Sequence, residues 1–190
     1  DAEEPATLNN PAKRHCKSAS ISASGNPREP SGCILADDMG LGKTLTTLAV
    51  LWAYVRGGRS KALVLAPSSV QANWAAEIKK WFGLRLRPIS CRVGNAALQD
   101  ISAFRHGHAS QSPVLLISYD MFRRHAEALN QVPNVSLLVC DEAHKYVKNA
   151  AGTKTSDALA LSRVKRRVCL TGTPLQVFSL SLSLTHTHTH

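Results

Sequence analysis

The sequence has no apolar run near the roughly 20 residues needed to span a bilayer, so no membrane partner is expected. It lacks an initial Met and a charged-then-apolar leader, and we therefore expect no signal peptide. Its five cysteines include no CxxC pair, which makes a zinc site unexpected. Cys33, Cys140 and Cys169 lie within apolar runs, a pattern that predicts buried free thiols and a reducing compartment.

Acidic residues are also scarce. The 13 aspartates and glutamates face 23 lysines and arginines, a formal net charge of +10. This balance favours a polyanionic partner, most often nucleic acid, although a basic surface without such a partner is the alternative. A length of 190 residues with 44% hydrophobic content is enough for one domain with a core and too little for two large ones.

Composition divides the chain into three segments. Residues 1–31 are rich in Pro, Ser, Asn and Ala and predict a flexible tail. Residues 32–176 alternate short apolar runs with longer amphipathic stretches and form the predicted domain. Residues 177–190 alternate Ser with Leu and then Thr with His, which predicts a low-complexity tail and no domain.

The short apolar runs predict strands that are covered on both faces, because they are nearly continuous and do not alternate with polar residues. These runs are GCILA (32–36), KALVLA (61–66), PVLLIS (113–118), VSLLVC (135–140) and RVCLT (167–171), with LRPISCRV (86–93) as a weaker sixth. Their alternation with helical patterns predicts an α/β fold, a doubly wound and mainly parallel sheet with helices on both faces.

The helical patterns predict which side chains enter the core. One set of apolar positions at helical spacing comprises Leu45, Leu48, Ala49 and Trp52. A second set comprises Val70, Trp74, Ile78, Trp81 and Phe82. We expect the tryptophans to belong to the core, and not to form platforms on which bases stack.

The strongest local motif is DDMGLGKT, which follows a strand and begins a helix. Glycines in this position allow backbone N–H groups to surround a phosphate, and the helix adds its positive dipole end. We expect Lys43 to reach the β- and γ-phosphates and Thr44 to bind Mg²⁺. The predicted nucleotide-binding residues are Asp37, Asp38, Met39, Gly40, Leu41, Gly42, Lys43 and Thr44. Asp37 replaces the usual first glycine, so a glycine-rich turn without nucleotide is the alternative.

A second motif, VSLLVCDEAH, places Asp141 and Glu142 directly after a buried strand. Two adjacent carboxylates in this position are costly unless a cation neutralises them. We expect Asp141 to bind Mg²⁺ through water and Glu142 to orient or activate the attacking water. Lys43, Asp141 and Glu142 are therefore the predicted catalytic residues.

Five motifs in order resemble the first RecA-like lobe of the Swi/Snf-type ATPases in helicase superfamily 2, with wording closest to the recombination-repair, Rad-type branch. They are ADDMGLGKTL, LVLAPSSVQANWAAEIKKW, VLLISYDMF, LLVCDEAHKYVKN and LTGTPLQ, within residues 32–176. The resemblance implies a RecA-like P-loop fold, ATP and Mg²⁺ as cofactors, DNA-dependent ATP hydrolysis, translocation on double-stranded DNA and a nuclear location. It leaves a recombinase and a nucleosome open as further partners.

The resemblance also implies roles for individual residues. His144, Thr171 and Thr173 would couple the nucleotide to the DNA-sensing motif. The phosphate backbone of one DNA strand would be contacted by Pro67, Ser68, Ser69, Ser118 and Tyr119. Small hydroxyls and backbone N–H groups suit a translocase because they position DNA without selecting bases.

The segment after Gln176 departs from the family, whose members continue into a second lobe with transition-state arginines. Repeating dinucleotides in the coding sequence would encode alternating Ser-Leu and Thr-His. We therefore expect the coding sequence to run out of an exon at Gln176 into a simple-sequence repeat. The alternative is a weak metal-binding tail with His186, His188 and His190. A chain without those arginines is expected to hydrolyse ATP barely above background. The other hypotheses are a catalytically silent nucleotide- or DNA-binding module and an unrelated basic nucleic-acid binder.

Overall fold

One parallel sheet organises the part of the chain that the computed structural model describes, residues 31–146 and 154–172. Its six strands are β1 (Ser31–Leu35), β2 (Lys61–Leu65), β3 (Pro88–Ser90), β4 (Val114–Ile117), β5 (Val135–Cys140) and β6 (Arg166–Leu170). They lie in the order β1-β6-β5-β2-β4-β3, and each neighbouring pair is parallel. The predicted strands are confirmed, and the weakest of them is a strand of three residues at the edge.

Helices cover both faces of this sheet. They are α1 (Lys43–Val55), α2 (Gln71–Phe82), α3 (Ala96–His106), α4 (Tyr119–Arg124), α5 (Ala126–Asn130), α6 (Ala143–Tyr146) and α7 (Lys154–Ala160). Side chains of α1 and α2 belong to one apolar cluster, and those of α3, α4, α5 and α7 belong to a second. The doubly wound α/β fold predicted from the sequence is therefore confirmed.

The two clusters are separated by the alternation of side chains along the central strands. In β2, Ala62 and Val64 pack with α1 and α2, whereas Leu63 and Leu65 face the opposite cluster. All four residues are at most 2% exposed, which explains why residues 62–65 are apolar without interruption.

Not all the apolar side chains that the helical spacing placed on one face are buried. The buried positions of α1 are Thr47, Leu48, Leu51 and Val55, whereas Leu45 is 42% exposed. Trp74 enters the core, but Trp81 near the end of α2 is 49% exposed. Helical spacing alone did not show where the covered face of each helix ends.

The edge strand β1 also differs from expectation. Cys33 is exposed, because β1 pairs only with β6 among the described strands, whereas Cys140 and Cys169 lie on central strands and are buried as predicted. Within residues 31–146 and 154–172, no helix is long and apolar enough to cross a membrane. The predicted segments 1–31 (except Ser31) and 177–190 lie outside the described residues.

Candidate functional site

The predicted nucleotide residues meet at the carboxyl edge of the sheet. The glycine-containing loop follows β1, the acidic pair follows β5, and Thr171 follows β6, which lies between those two strands. The Thr171 N–H donates to the carbonyl of Leu35 at 3.1 Å, and the Asp141 N–H donates to the carbonyl of Leu65 at 2.8 Å. These bonds extend the strand ladder by one residue and fix where each functional segment begins.

The loop before α1 has the conformation that an anion-binding turn requires. Gly40 and Gly42 adopt φ values of 82° and 83°, in the left-handed region that side chains disfavour. Gly42 is the N-cap of α1, and no side chain in the described ranges caps that helix end. The first-turn N–H groups of α1 are therefore suited to an anionic ligand.

Lys43 folds back over this loop. Its Nζ donates to the carbonyls of Asp37 and Asp38 at 2.7 and 2.8 Å. Met39 on the same loop is 80% exposed, and a Cβ added to Gly172 would lie 3.9 Å from Met39 Cε. The loop after β1 thus lies beside the segment that follows β6.

Asp141 is held by contacts from both faces of the sheet. Its Oδ2 accepts a hydrogen bond from Trp74 Nε1 at 2.8 Å, and its Oδ1 accepts one from the Glu142 N–H at 2.9 Å. Its carbonyl accepts a hydrogen bond from the Tyr119 hydroxyl at 2.7 Å. Burial raises the pKa of Asp141, while Trp74, the Glu142 N–H and the charge of Lys43 oppose that rise. The side chain and the main chain of Asp141 are thus both held at the end of β5.

Glu142 has an unusual backbone conformation. Its φ is 51°, in a region that costs a residue other than glycine roughly 1–3 kcal/mol. Its Oε2 lies 3.4 Å from His144 Nε2 and 3.2 Å from Lys145 Nζ. The turn after β5 therefore directs the Glu142 carboxylate toward α6.

His144 joins Glu142 to the segment after β6. Its Nδ1 lies 2.9 Å from Thr171 Oγ1, and Thr171 is 1% exposed. The structure thus brings together two of the three predicted coupling residues. The third, Thr173, lies outside the described residues.

The donor set fits Mg²⁺ held together with a nucleotide. Residues 31–146 and 154–172 contain no group of three His, Cys, Asp or Glu side chains that could hold a metal ion. One threonine hydroxyl, Thr44, and one carboxylate, Asp141, instead match a cation that takes its other oxygen ligands from phosphates and water.

The predicted DNA residues occupy the same edge, on the turns after β2 and β4. Ser68 and Ser69 are exposed in a 3₁₀ turn (Ser68–Val70), and Pro67 is the N-cap of that turn. Ser118 is partly buried, and its Oγ accepts a hydrogen bond from the Met121 N–H as the N-cap of α4. These segments leave Pro67, Ser68, Ser69 and Ser118 at the surface or next to it.

The prediction that Tyr119 contacts DNA is wrong for its side chain. Its side chain is only 2% exposed, and its hydroxyl donates to the carbonyl of Asp141. This burial contradicts a direct contact between the Tyr119 side chain and DNA. An apolar ring two positions after a buried strand is better placed to enter the core, and its hydroxyl takes a backbone partner there.

Arg167 follows two other basic residues, Lys165 and Arg166, in the sequence, but its side chain bonds to main-chain carbonyls. Its guanidinium donates to the carbonyls of Val164, Leu159 and Ser162 at 2.8–3.3 Å. Arg167 therefore holds the turn between α7 and β6.

The hydrogen bond from Trp74 to Asp141 was not predicted from the sequence. The position of Trp74 in the periodic apolar face of α2 correctly predicted burial, but periodicity carries no information about the partner of the indole N–H. The one signal was the requirement that a buried indole N–H find an acceptor.

The chain is similar in sequence to proteins of one known family. The model of the SNF2-related domain matches residues 11–184. The chain is 41% identical over 155 residues to the "DNA repair and recombination protein RAD54-like" of Gallus gallus, which covers 76% of this chain and 21% of that protein. It is 44% identical over 154 residues to "Protein CHROMATIN REMODELING 25" of Arabidopsis thaliana, which covers 77% of this chain and 17% of that protein. The chain thus spans about a fifth of the length of these relatives.

Solved structures give the same result. The SWI2/SNF2 ATPase core of Sulfolobus solfataricus in complex with double-stranded DNA superposes with a TM-score of 0.61 at 29% identity, over 81% of this chain and 31% of that one. The ATPase core domain of the same organism superposes with a TM-score of 0.58 at 32% identity, over 80% of this chain and 30% of that one. The RecA-like fold and the Swi/Snf resemblance predicted from the motifs are confirmed, and the chain belongs to the SNF2-related domain family.

Proposed function

We propose that this chain is the ATP-binding lobe of a DNA-dependent ATPase that translocates on double-stranded DNA in recombination repair or chromatin remodelling in the nucleus. The observation that supports the proposal most directly is the placement of the glycine-containing loop, the acidic pair and Thr171 directly after β1, β5 and β6, three parallel strands in the order β1-β6-β5. The names of the RAD54-like and chromatin-remodelling relatives support the cellular process.

The loop residues 37–44 bind the triphosphate. Lys43 exchanges its two carbonyl contacts on Asp37 and Asp38 for the β- and γ-phosphates, whose negative charge is the stronger partner for an ammonium group. Gly40 and Gly42 keep the backbone open toward the phosphates, since nothing lies within 4 Å of either position where a Cβ would stand.

Thr44 and Asp141 hold Mg²⁺, which when bound offsets the charge that develops on the phosphates during transfer. Glu142 orients the attacking water and accepts its proton. His144, in contact with both Glu142 and Thr171, links this base to the segment after β6, where coupling to DNA takes place.

Ser68, Ser69 and Ser118, with Pro67, contact the phosphate backbone of one DNA strand. They lie at the same edge of the sheet as the nucleotide residues, so both ligands bind along one side of the lobe. The similarity of this chain to the Sulfolobus solfataricus SWI2/SNF2 ATPase core, which was solved in complex with double-stranded DNA, supports this partner.

Nucleotide binding can be tested on this chain. We expect the wild type to bind a fluorescent ATP analogue with Mg²⁺, and Lys43→Ala to weaken binding at least about tenfold, because one charge-assisted contact is worth roughly 1.5–3 kcal/mol. Lys79→Ala, at an exposed position on α2, is the matched control and should bind as wild type. Equal binding by Lys43→Ala and wild type would refute the proposed site.

DNA binding is tested by adding negative charge to the proposed contact. The Ser68→Asp, Ser69→Asp double variant should bind duplex DNA more weakly than wild type at low salt, because it adds two charges next to the phosphates. The Ser102→Asp, Ser110→Asp double variant adds the same charge at exposed positions on α3 and just before β4. Equal loss in both variants would indicate a general charge effect and no local DNA contact.

Hydrolysis is proposed for the whole protein, since this chain matches about a fifth of its relatives. We expect slow turnover by the chain alone and DNA-stimulated turnover by the whole protein that Lys43→Ala abolishes. Binding of both ligands by a whole protein that hydrolyses no ATP would instead identify a silent binding module.

A further inference from the structure

Trp74 contacts the catalytic edge although it lies within the core. It belongs to the first half of α2, is 2% exposed, and packs in the apolar cluster between that helix and the sheet. Its Nε1 nevertheless reaches the end of β5 and donates to Asp141 Oδ2 at 2.8 Å. The indole is thus rigidly packed at one end and bonded to the proposed Mg²⁺ ligand at the other.

The two oxygens of the Asp141 carboxylate have different partners. Oδ1 accepts from the Glu142 N–H, which belongs to the adjacent residue, and Oδ2 accepts from Trp74, which is 67 residues away in the chain. Two bonds from different directions fix the plane of the carboxylate. Each oxygen retains lone-pair capacity, so an oriented carboxylate can still accept a bond from metal-bound water.

α2 also connects Asp141 with the proposed DNA contact. The helix continues directly from the 3₁₀ turn that contains Ser68 and Ser69, and Trp74 lies five residues beyond Ser69. A small displacement of that turn would move α2 as a unit, because a helix transmits movement along its hydrogen-bonded backbone. The indole N–H would move with it.

Tyr119 provides a parallel connection from the other face. It follows Ser118, the second proposed DNA segment, and its hydroxyl donates to the Asp141 carbonyl at 2.7 Å. Each segment assigned to DNA is thus followed by a buried aromatic residue that bonds to Asp141, one through the side chain and one through the main chain.

We propose that Trp74 is a positioning residue that orients the Asp141 carboxylate for Mg²⁺–nucleotide and transmits movement of the DNA-contacting turn to it. The proposal rests on the function proposed above. Groups that orient a metal ligand typically change metal affinity by about 10–100-fold when removed. A purely structural tryptophan would contribute to folding stability and leave the Mg²⁺ requirement unchanged.

The first test measures the Mg²⁺ concentration that gives half-maximal binding of a fluorescent ATP analogue to the full chain. Trp74→Phe removes the N–H and part of the ring. Benzothienylalanine at position 74 replaces only the N–H by sulfur and keeps the ring shape, so it separates hydrogen bonding from packing. Both should require about tenfold more Mg²⁺ than wild type or higher, with nearly unchanged nucleotide binding in the absence of Mg²⁺.

Trp81→Phe is the matched control. Trp81 lies on the same helix and its Nε1 donates to Glu77 Oε2 at 2.8 Å, a bond of the same type and length, but it is 49% exposed and bonded within its own helix. Its loss should leave the Mg²⁺ requirement within about twofold of wild type, because that bond reaches no group of the site.

A second measurement follows the indole N–H directly. Indole ¹H–¹⁵N resonances, assigned by substitution, should show a shift at Trp74 when Mg²⁺–nucleotide is added and a further shift when duplex DNA is added. The Trp81 resonance should stay in place. This readout does not depend on turnover.

The outcomes separate the two proposals. Failure of the wild type to bind nucleotide would overturn the proposed function and this inference with it. The positioning role alone would be overturned by three results together. The wild type binds nucleotide normally, the benzothienylalanine variant has an unchanged Mg²⁺ requirement, and the Trp74 resonance does not shift. A folded Trp74→Phe chain with a tenfold higher Mg²⁺ requirement, together with a normal Trp81→Phe chain, would support it.

Discussion

Thr171 Oγ1 lies 2.9 Å from Nδ1 of His144, a contact that joins the segments after β6 and β5. His144 Nε2 lies 3.4 Å from Glu142 Oε2 on the other side of the ring. The two ring nitrogens of His144 thus face two different residues of the site. Glu142, His144 and Thr171 therefore form one series of polar contacts next to Asp141.

Thr171→Val should remove the contact between the Thr171 hydroxyl and His144 Nδ1. The variant keeps the side-chain shape and removes the hydroxyl, so we expect a loss of about 1 kcal/mol in the free energy of unfolding, measured by urea denaturation. Thr46→Val, at an exposed position on α1, is the control and should unfold like the wild type. An unchanged stability in Thr171→Val would show that the hydroxyl–imidazole bond contributes nothing to folding.

Gly42→Ala tests the backbone of the phosphate loop. Gly42 has a φ of 83°, and an L-residue in the left-handed region costs roughly 1–2 kcal/mol. We expect this loss of stability in thermal or urea unfolding, together with weaker binding of the ATP analogue.

Gly57→Ala provides the comparison for Gly42. Gly57 is not among the glycines with positive φ, and nothing lies within 4 Å of the added Cβ. Replacement there should leave stability unchanged or raise it slightly, because it restricts the unfolded chain. Similar losses at both positions would contradict the argument from conformation.

Lys61→Met tests a buried ammonium group at the start of β2. Lys61 is 4% exposed, and its Nζ donates to the carbonyls of Phe104 and Arg105 at 2.6 and 3.0 Å, at the C-terminal end of α3. Burial lowers the pKa of Lys61, but the two carbonyls and the negative end of the helix dipole favour its charge. Methionine leaves those carbonyls without this donor.

We expect Lys61→Met to lose about 1–3 kcal/mol in the free energy of unfolding. Lys79→Met, at an exposed position on α2, is the control and should change stability by less than about 0.5 kcal/mol. Hydrogen exchange should locate the effect, since amides in the last turn of α3 lose protection when the cap is removed. A stable variant with unchanged exchange would refute the capping role.

Asp100→Asn tests the pH dependence of stability. Asp100 is 8% exposed and accepts hydrogen bonds from the Arg92 side chain and N–H, and the side-chain bond is the main reason that the pKa of Asp100 is lowered. A carboxyl whose pKa is lower in the folded chain stabilises the fold at any pH above its unfolded pKa of about 4. That contribution is lost as the pH falls through the folded pKa.

The difference in unfolding free energy between wild type and Asp100→Asn should therefore be largest near neutral pH and shrink below pH of about 4. Urea titrations across that range measure it. Asp157→Asn, an exposed aspartate on α7, is the control. A difference that stays constant to low pH would show that the Asp100 carboxylate is not stabilised by folding.

The strands, the glycine-rich motif and the acidic motif were predictable from the sequence, because each is recognised from residues that are adjacent in the chain. The centre of a buried parallel strand is apolar at successive positions, so residues 62–65 and 137–140 could be recognised as uninterrupted apolar runs. The buried face of each helix was harder to predict, because the spacing of apolar residues indicates the direction of that face but not how many residues it includes. Leu45 and Trp81 were therefore assigned to the core although both are exposed.

Local composition and periodicity were enough to predict the α/β class, and the resemblance of five ordered motifs was enough to predict the family. Which side chains meet depended on the tertiary structure. It placed β6 between β1 and β5, paired Thr171 with His144, turned Tyr119 inward and brought the Trp74 N–H to Asp141. Hydrogen bonds between residues far apart in the chain depend on strand order and side-chain direction, and neither quantity is encoded in a single periodic pattern.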